Sequence, residues 1–184
     1  LTATSDDAGV KIELSLTSDT YRRSSPDLTD LVVTVTITNV DVLTVEIRGE
    51  KDNGTILENG FRVEHFTFHD LATGDEVINK NSFPGTCDPG DSLAPYDTVE
   101  LQSSSSPFVT RHGLEDMDPL CDPVRQLKNG HAYRVTLKPQ TVWCFAGSKK
   151  QLFGDQRYIP IEDLPKGTMV RLESSDELTL KVEA

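Results

Sequence analysis

Residues 64–70 read EHFTFHD, placing two histidines four positions apart between acidic residues. Imidazoles and carboxylates in one short stretch are what zinc ligation or general acid–base chemistry would use, so the backbone that carries them decides the matter. On a strand, rising about 3.3 Å per residue, His65 and His69 stand about 13 Å apart. One zinc ion needs its nitrogen ligands at about 2 Å, so it cannot take both. A helix would bring them together, but Phe66, Thr67 and Phe68 favour a strand. The expectation is therefore a strand with Phe66 and Phe68 facing the core and His65, Thr67 and His69 facing solvent. Phe61 and Val63 fall on the opposite parity to Phe66 and Phe68. That mismatch predicts a bulge at Glu64-His65, where a single histidine could turn away from its strand face.

A second candidate is RHGLEDMDPLCD at 111–122, with His112, Glu115, Asp116, Asp118, Cys121 and Asp122. Its oxygens could hold a hard cation, or His112 and Cys121 could ligate zinc, with His65 a weaker candidate. It lacks the Asp-x-Asp-x-Asp-Gly ladder of a calcium loop and the Cys-x-x-Cys of structural zinc, so a solvated acidic loop is the favoured reading. A nucleophilic Cys121 paired with His112 or His131 would be opposed by Asp122, whose charge disfavours the thiolate. Of the three cysteines, Cys87 and Cys121 each precede Asp-Pro, and a disulfide between them would contribute about 4 kcal/mol by the chain-entropy model. Cys144, between Trp143 and Phe145, reads as a buried, inert thiol. Arg22 and Arg23 form a basic spot in TYRRSSP. The favoured reading has them pairing with Asp27 and Asp30, and an anion site is the alternative.

These residues need a frame, and period-two alternation supplies it. In GVKIELSL, Val10, Ile12, Leu14 and Leu16 share one face. In LVVTVTIT, Leu31, Val33, Val35 and Ile37 do the same. Further strands are expected from Leu43 to Ile47 and at 61–69, 75–78, 98–101, 132–137, 141–145, 168–173 and 177–182. The one helical candidate, 116–127, is limited to about a turn by its prolines. Asn-Gly pairs at 53–54, 59–60 and 129–130 mark tight turns. The fold class is an all-β, immunoglobulin-like antiparallel β-sandwich, read as a single domain over 1–184 with a loop-rich, irregular region at 79–130.

Charge and motifs exclude several functions. With 18 Lys+Arg against 30 Asp+Glu, the formal charge is −12, which opposes nucleic-acid and anionic-membrane binding. No apolar run approaches the ~20 residues of a membrane span. The polar, acidic amino terminus does not read as a signal peptide, although one could have been removed, and the odd cysteine count suits reduced thiols in the cytoplasm, slightly favoured, or one disulfide plus a leftover thiol in a secreted chain. Asn53-Gly54-Thr55 is a glycosylation sequon. No Gly-x-Ser-x-Gly, phosphate-binding loop, dinucleotide-binding glycine pattern or His-Glu-x-x-His is present.

The stretch IELSLTSDTYRRSSPDLTDLVVTVTITN (12–39), with Tyr21, Arg22, Arg23, Ser24, Ser25 and Pro26 at its centre, resembles the amino-terminal signature of small fungal proteins of unknown function. LKNGHAYRVTL (127–137) resembles a strand of immunoglobulin-like domains. Proteinase-inhibitor-like sandwiches and some metalloprotease propeptides carry similar strands. The resemblance implies the sandwich fold and carries over no catalytic residue. The function expected is a non-catalytic binding module, without cofactor, that engages a protein or small ligand through the 79–130 loops. The rival is a metal-dependent or Cys/His enzyme built on His112, Glu115, Asp118 and Cys121. A protease-inhibitor-like or propeptide-like domain is a third reading, implied by resemblance alone.

Overall fold

The computed structural model describes residues 8–24, 29–48, 54–58, 63–78, 90–103, 107–114 and 123–184. One layer has the order β1-β3-β8, formed by β1 (Gly9–Leu16), β3 (Asp30–Thr38) and β8 (Phe108–Gly113). Facing it is β2-β13-β9-β5, formed by β2 (Thr20–Arg22), β13 (Leu178–Glu183), β9 (Ala132–Leu137) and β5 (Phe66–Asp70). The chain changes layers after β1. That strand pairs antiparallel with β3, whereas β2 pairs parallel with β13. This switch makes the sandwich immunoglobulin-like, and the alternation expected from sequence builds its core. Ile12 and Leu14 of β1 and Leu31, Val33, Val35 and Ile37 of β3 pack against Phe66, Phe68, Tyr133, Val135, Leu180 and Val182 of the facing layer.

A third sheet grows from one end of the sandwich. Its order is β12-β10-β4-β7, with β4 (Val42–Glu46), β7 (Thr98–Gln102), β10 (Gln140–Ala146) and β12 (Thr168–Leu172). Each follows or precedes a sandwich strand directly: β4 follows β3, β7 precedes β8, β10 follows β9 and β12 precedes β13. The β3–β4 bend turns on Asn39 at φ 67°, a left-handed conformation that asparagine tolerates. Strand β4 is buried on both faces. Leu43 and Val45 join the main core, while Thr44 is fully buried and donates from its hydroxyl to Gly147 O at 2.7 Å.

Beyond this sheet lies a satellite cluster of Leu93, Leu152, Phe153 and Ile159, against which Trp143, Phe145 and Leu164 pack. It is held by α1 (Lys149–Phe153) and a ribbon of β6 (Ser92–Leu93) with β11 (Ile159–Pro160). Ser148 starts α1 with a reciprocal cap, its hydroxyl accepting from Gln151 N while the Gln151 side chain accepts from Ser148 N. Gly167 passes so close to Trp143 that a Cβ there would overlap the indole and Cys144 O.

Several local expectations change. Of the strand expected over 61–69, residues 61–62 lie outside the described residues, Val63–His65 is a 3-10 turn, and the strand runs Phe66–Asp70. Residues 75–78 contribute one bridge, Glu76 to His69, and no strand. Strand β8, the ribbon strands, β2 and α1 were not anticipated. Of the helical candidate, Pro123–Gln126 forms a 3-10 turn and 116–122 lies outside the described residues.

Candidate functional site

The turn at Val63–His65 splits EHFTFHD into three destinations. Once β5 begins, alternation sends Phe66, Phe68 and Asp70 inward, and all three are buried. Thr67 and His69 take the outer face, where His69 stands opposite Arg134 of β9. His65, expected on the surface, is buried, because the turn removes it from the strand's parity. Its Nδ1 lies 2.8 Å from Nε2 of Gln140 at the start of β10. In place of the bulge expected at Glu64-His65 there is a 3-10 turn, and it points its histidine at a strand rather than at the loops.

Asp70 ends β5 on the core side. Its Oδ1 accepts from Ala72 N at 2.9 Å, and its Oδ2 accepts from His131 Nδ1 at 2.8 Å. Burial pushes the Asp70 carboxyl up, but the Ala72 N–H and His131 outweigh it and hold the pKa below the ordinary carboxylate range. The signal was present in the sequence: Asp70 shares the parity of Phe66 and Phe68, so a strand through them must aim it inward.

His112, proposed for a surface cluster with Glu115, Asp118 and Cys121, is fully buried on the inward face of β8. It packs edge-on against Phe66, ring centres 5.5 Å apart. Its Nε2 lies 3.2 Å from Ile56 O, and Thr110 Oγ1 donates to the same carbonyl at 2.6 Å. Residues 54–58 hold this position without forming a strand, and Thr55, Ile56 and Leu57 are buried. Buried backbone outside regular structure must find partners elsewhere. Here Gln140 Oε1 accepts from Ile56 N at 3.1 Å, while Thr110 and His112 donate to Ile56 O. His112 is thus committed to a carbonyl inside the fold. Glu115, Asp118, Cys121 and Cys87 lie outside the described residues, as does Asn53.

The arginines are also occupied, by partners other than the Asp30 first expected. Arg22 pairs with Glu183 at 3.0 Å on the surface. Arg23 lies over Tyr21 and donates to Val124 O, Arg125 O and Leu127 O, with its Nε on Asn129 Oδ1 at 3.2 Å. It closes the end of the Pro123–Gln126 turn and is spent on carbonyl oxygens instead of an anion. Asp30 faces Arg111 at 3.6 Å, and Asp27 lies outside the described residues. Cys144 is fully buried, and burial followed by the charge of Glu46 pushes its thiol up to about 12. Among the described residues, no three His, Cys, Asp or Glu side chains gather as a metal-ligand set. No helix among them is long and apolar enough to cross a membrane.

Tyr96, in the 3-10 turn Pro95–Asp97 just after β6, is 82% exposed. Tyr158 and Ile161, which bracket β11, are exposed, as is Met169, opposite Trp143 on β12. Ile161 N donates to Asp91 O at 2.8 Å, tying this segment to the β6 side.

No protein-family model and no curated protein matches the chain. Among solved structures it is similar to the X-ray structure of Northeast Structural Genomics Consortium target SoR45. The identity is 10%, the match covers 96% of this chain and 88% of that one, and the TM-score is 0.35.

Proposed function

We propose that the protein is a non-catalytic binding module that engages a protein partner through an accessory layer made of the third sheet and the segments around the satellite cluster. The observation that carries this reading is the exposure of Tyr96 just after β6, of Tyr158 and Ile161 on either side of β11, and of Met169 opposite Trp143, where Leu93 of β6, Ile159 of β11 and Trp143 belong to or pack on the satellite cluster. Tyrosine and methionine are enriched at protein interfaces, and tyrosine gives large contact area for little lost rotamer freedom. The other large exposed apolar side chains among the described residues, Leu71, Ile78 and Val109, lie on sandwich elements or their connections. Among the described residues, the chemistry-bearing side chains of His112, Arg23, Asp70 and His131 are committed to internal bonds. Tyr96 belongs to the 79–130 region first expected to bind, and Asp91 of that region is tied to Ile161 by a backbone hydrogen bond.

The test is capture from an extract of the source cells by immobilised protein, with bound proteins quantified by mass spectrometry. The double variant Tyr96→Ser/Tyr158→Ser is expected to lose a specific partner about tenfold or more, the scale of truncating central aromatic anchors. Leu71→Ser/Val109→Ser is expected to retain it. Equal retention by both variants would remove the accessory layer from the reading.

A further inference from the structure

We propose that His65 and Gln140 form a pH-sensitive latch on the buried segment 54–58. Its logic starts at one backbone group. Ile56 N–H can only donate, so the Gln140 side chain must present Oε1 to it, at 3.1 Å. That orientation leaves the Gln140 NH2 facing His65 Nδ1 at 2.8 Å. An NH2 can only donate, so His65 Nδ1 must accept. The hydrogen-bond network therefore assigns His65 as the neutral imidazole with its proton on Nε2. On the other side of Ile56, His112 Nε2 and Thr110 Oγ1 hold the carbonyl. The N–H and C=O of Ile56 are thus held by side chains from β10 and β8, while Leu57 N donates to Thr55 Oγ1 at 3.2 Å within the segment.

A proton added at His65 Nδ1 turns that acceptor into a donor aimed at another donor. The Gln140 amide can answer by rotating half a turn, which gives His65 an oxygen. The same rotation sets its NH2 against Ile56 N–H, and a buried donor loses its acceptor. One proton on the turn before β5 is thereby transmitted through a single amide to the middle of the segment. The sign follows directly. The latched fold needs neutral His65, so it binds fewer protons than the released state, and the latch is lost as pH falls through the range where imidazoles take up a proton. The charged and titratable groups on the neighbouring described elements are Glu64 in its own turn, Glu58 on the segment, Arg111 and His112 on β8, His69 and Asp70 on β5, Tyr133 and Arg134 on β9, and Lys138, whose N donates to His65 O at 2.8 Å and whose Nζ donates to Glu64 O at 2.9 Å. This inference is independent of the binding face, which lies on the other elements.

Two measurements decide it. Long-range nitrogen–proton NMR of the native protein at neutral pH is expected to show His65 as the Nε2–H tautomer, and an Nδ1–H tautomer would overturn the proposal. Hydrogen exchange of the Ile56 amide, corrected for the intrinsic pH dependence of exchange, is expected to lose protection about tenfold or more between pH 8 and 5.5, the scale of orphaning a buried donor. His65→Asn keeps an acceptor near Nδ1 without titrating and should flatten that profile. Gln140→Glu offers oxygens to both neighbours, so its profile should reverse, with the segment better protected when His65 carries its proton. A flat wild-type profile, or an undiminished loss in His65→Asn, would overturn the latch even if Gln140→Glu failed to fold.

Discussion

Asp70 and His131 meet at 2.8 Å where β5 ends beside the start of β9, with the carboxylate buried and the imidazole part-exposed. The pair ties the turn after β5 to the Asn129-Gly130 turn, whose Gly130 N donates to Val182 O at 2.8 Å. The Asp70 carboxyl is held below its ordinary pKa, so it contributes stability above its unfolded value and loses that contribution as pH falls through the folded one. Asp70→Asn is expected to lower the urea midpoint at pH 7. The gap between variant and wild type should close on the acid side of the ordinary carboxylate range. A gap that persists undiminished at the lowest pH where both fold would show that the charge is not what matters.

The two arginines of TYRRSSP should behave oppositely. Arg23 donates to three carbonyls and Asn129, and removing hydrogen bonds from a charged donor costs about 1.5–3 kcal/mol. Arg22 is in a surface ion pair with Glu183, worth about 0–1 kcal/mol. Urea unfolding of Arg23→Ala and Arg22→Ala separates the two, and equal losses would contradict the clamp.

Cys144 should be invisible to thiol reagents in the native protein. With its thiol pushed up to about 12 and its side chain fully buried, it presents almost no thiolate at pH 8. Alkylation followed by peptide mapping is expected to label it only after denaturation. Prompt labelling of folded protein would mean that β10 opens readily.

Gly167→Ala probes the accessory layer through the protein's one tryptophan. The added methyl would overlap the Trp143 indole and Cys144 O, and overpacking of this kind costs about 1–3 kcal/mol. The expected result is a lower thermal midpoint with a shifted Trp143 emission. Unchanged emission and midpoint would show that the indole moves aside at no cost.

Much of the sandwich was legible because alternation in β1, β3, β9 and β13 is set by burying one face, a property each strand carries within itself. β8 was missed because its inward residues include Thr110 and His112, polar side chains whose partner, Ile56 O, is remote in sequence. β4 continues its alternation legibly, but its Thr44 is buried and bonds Gly147 O, a partner the strand alone does not foretell. The parity break at Glu64-His65 was visible, whereas Gln140 as its destination was not, because that contact spans 75 residues. Asp70 was the inward acid that the same parity could have identified.

The central claim is that the accessory layer is the contact face, and footprinting by hydroxyl radicals tests it most directly. Oxidation of the wild-type chain is compared alone and with its captured partner bound, read residue by residue. Tyr96, Tyr158 and Met169 are expected to be protected, while Leu71 and Val109 keep their free-chain rates. Protection confined to Leu71, Ile78 or Val109, with Tyr96 and Met169 oxidised as in the free protein, would contradict it.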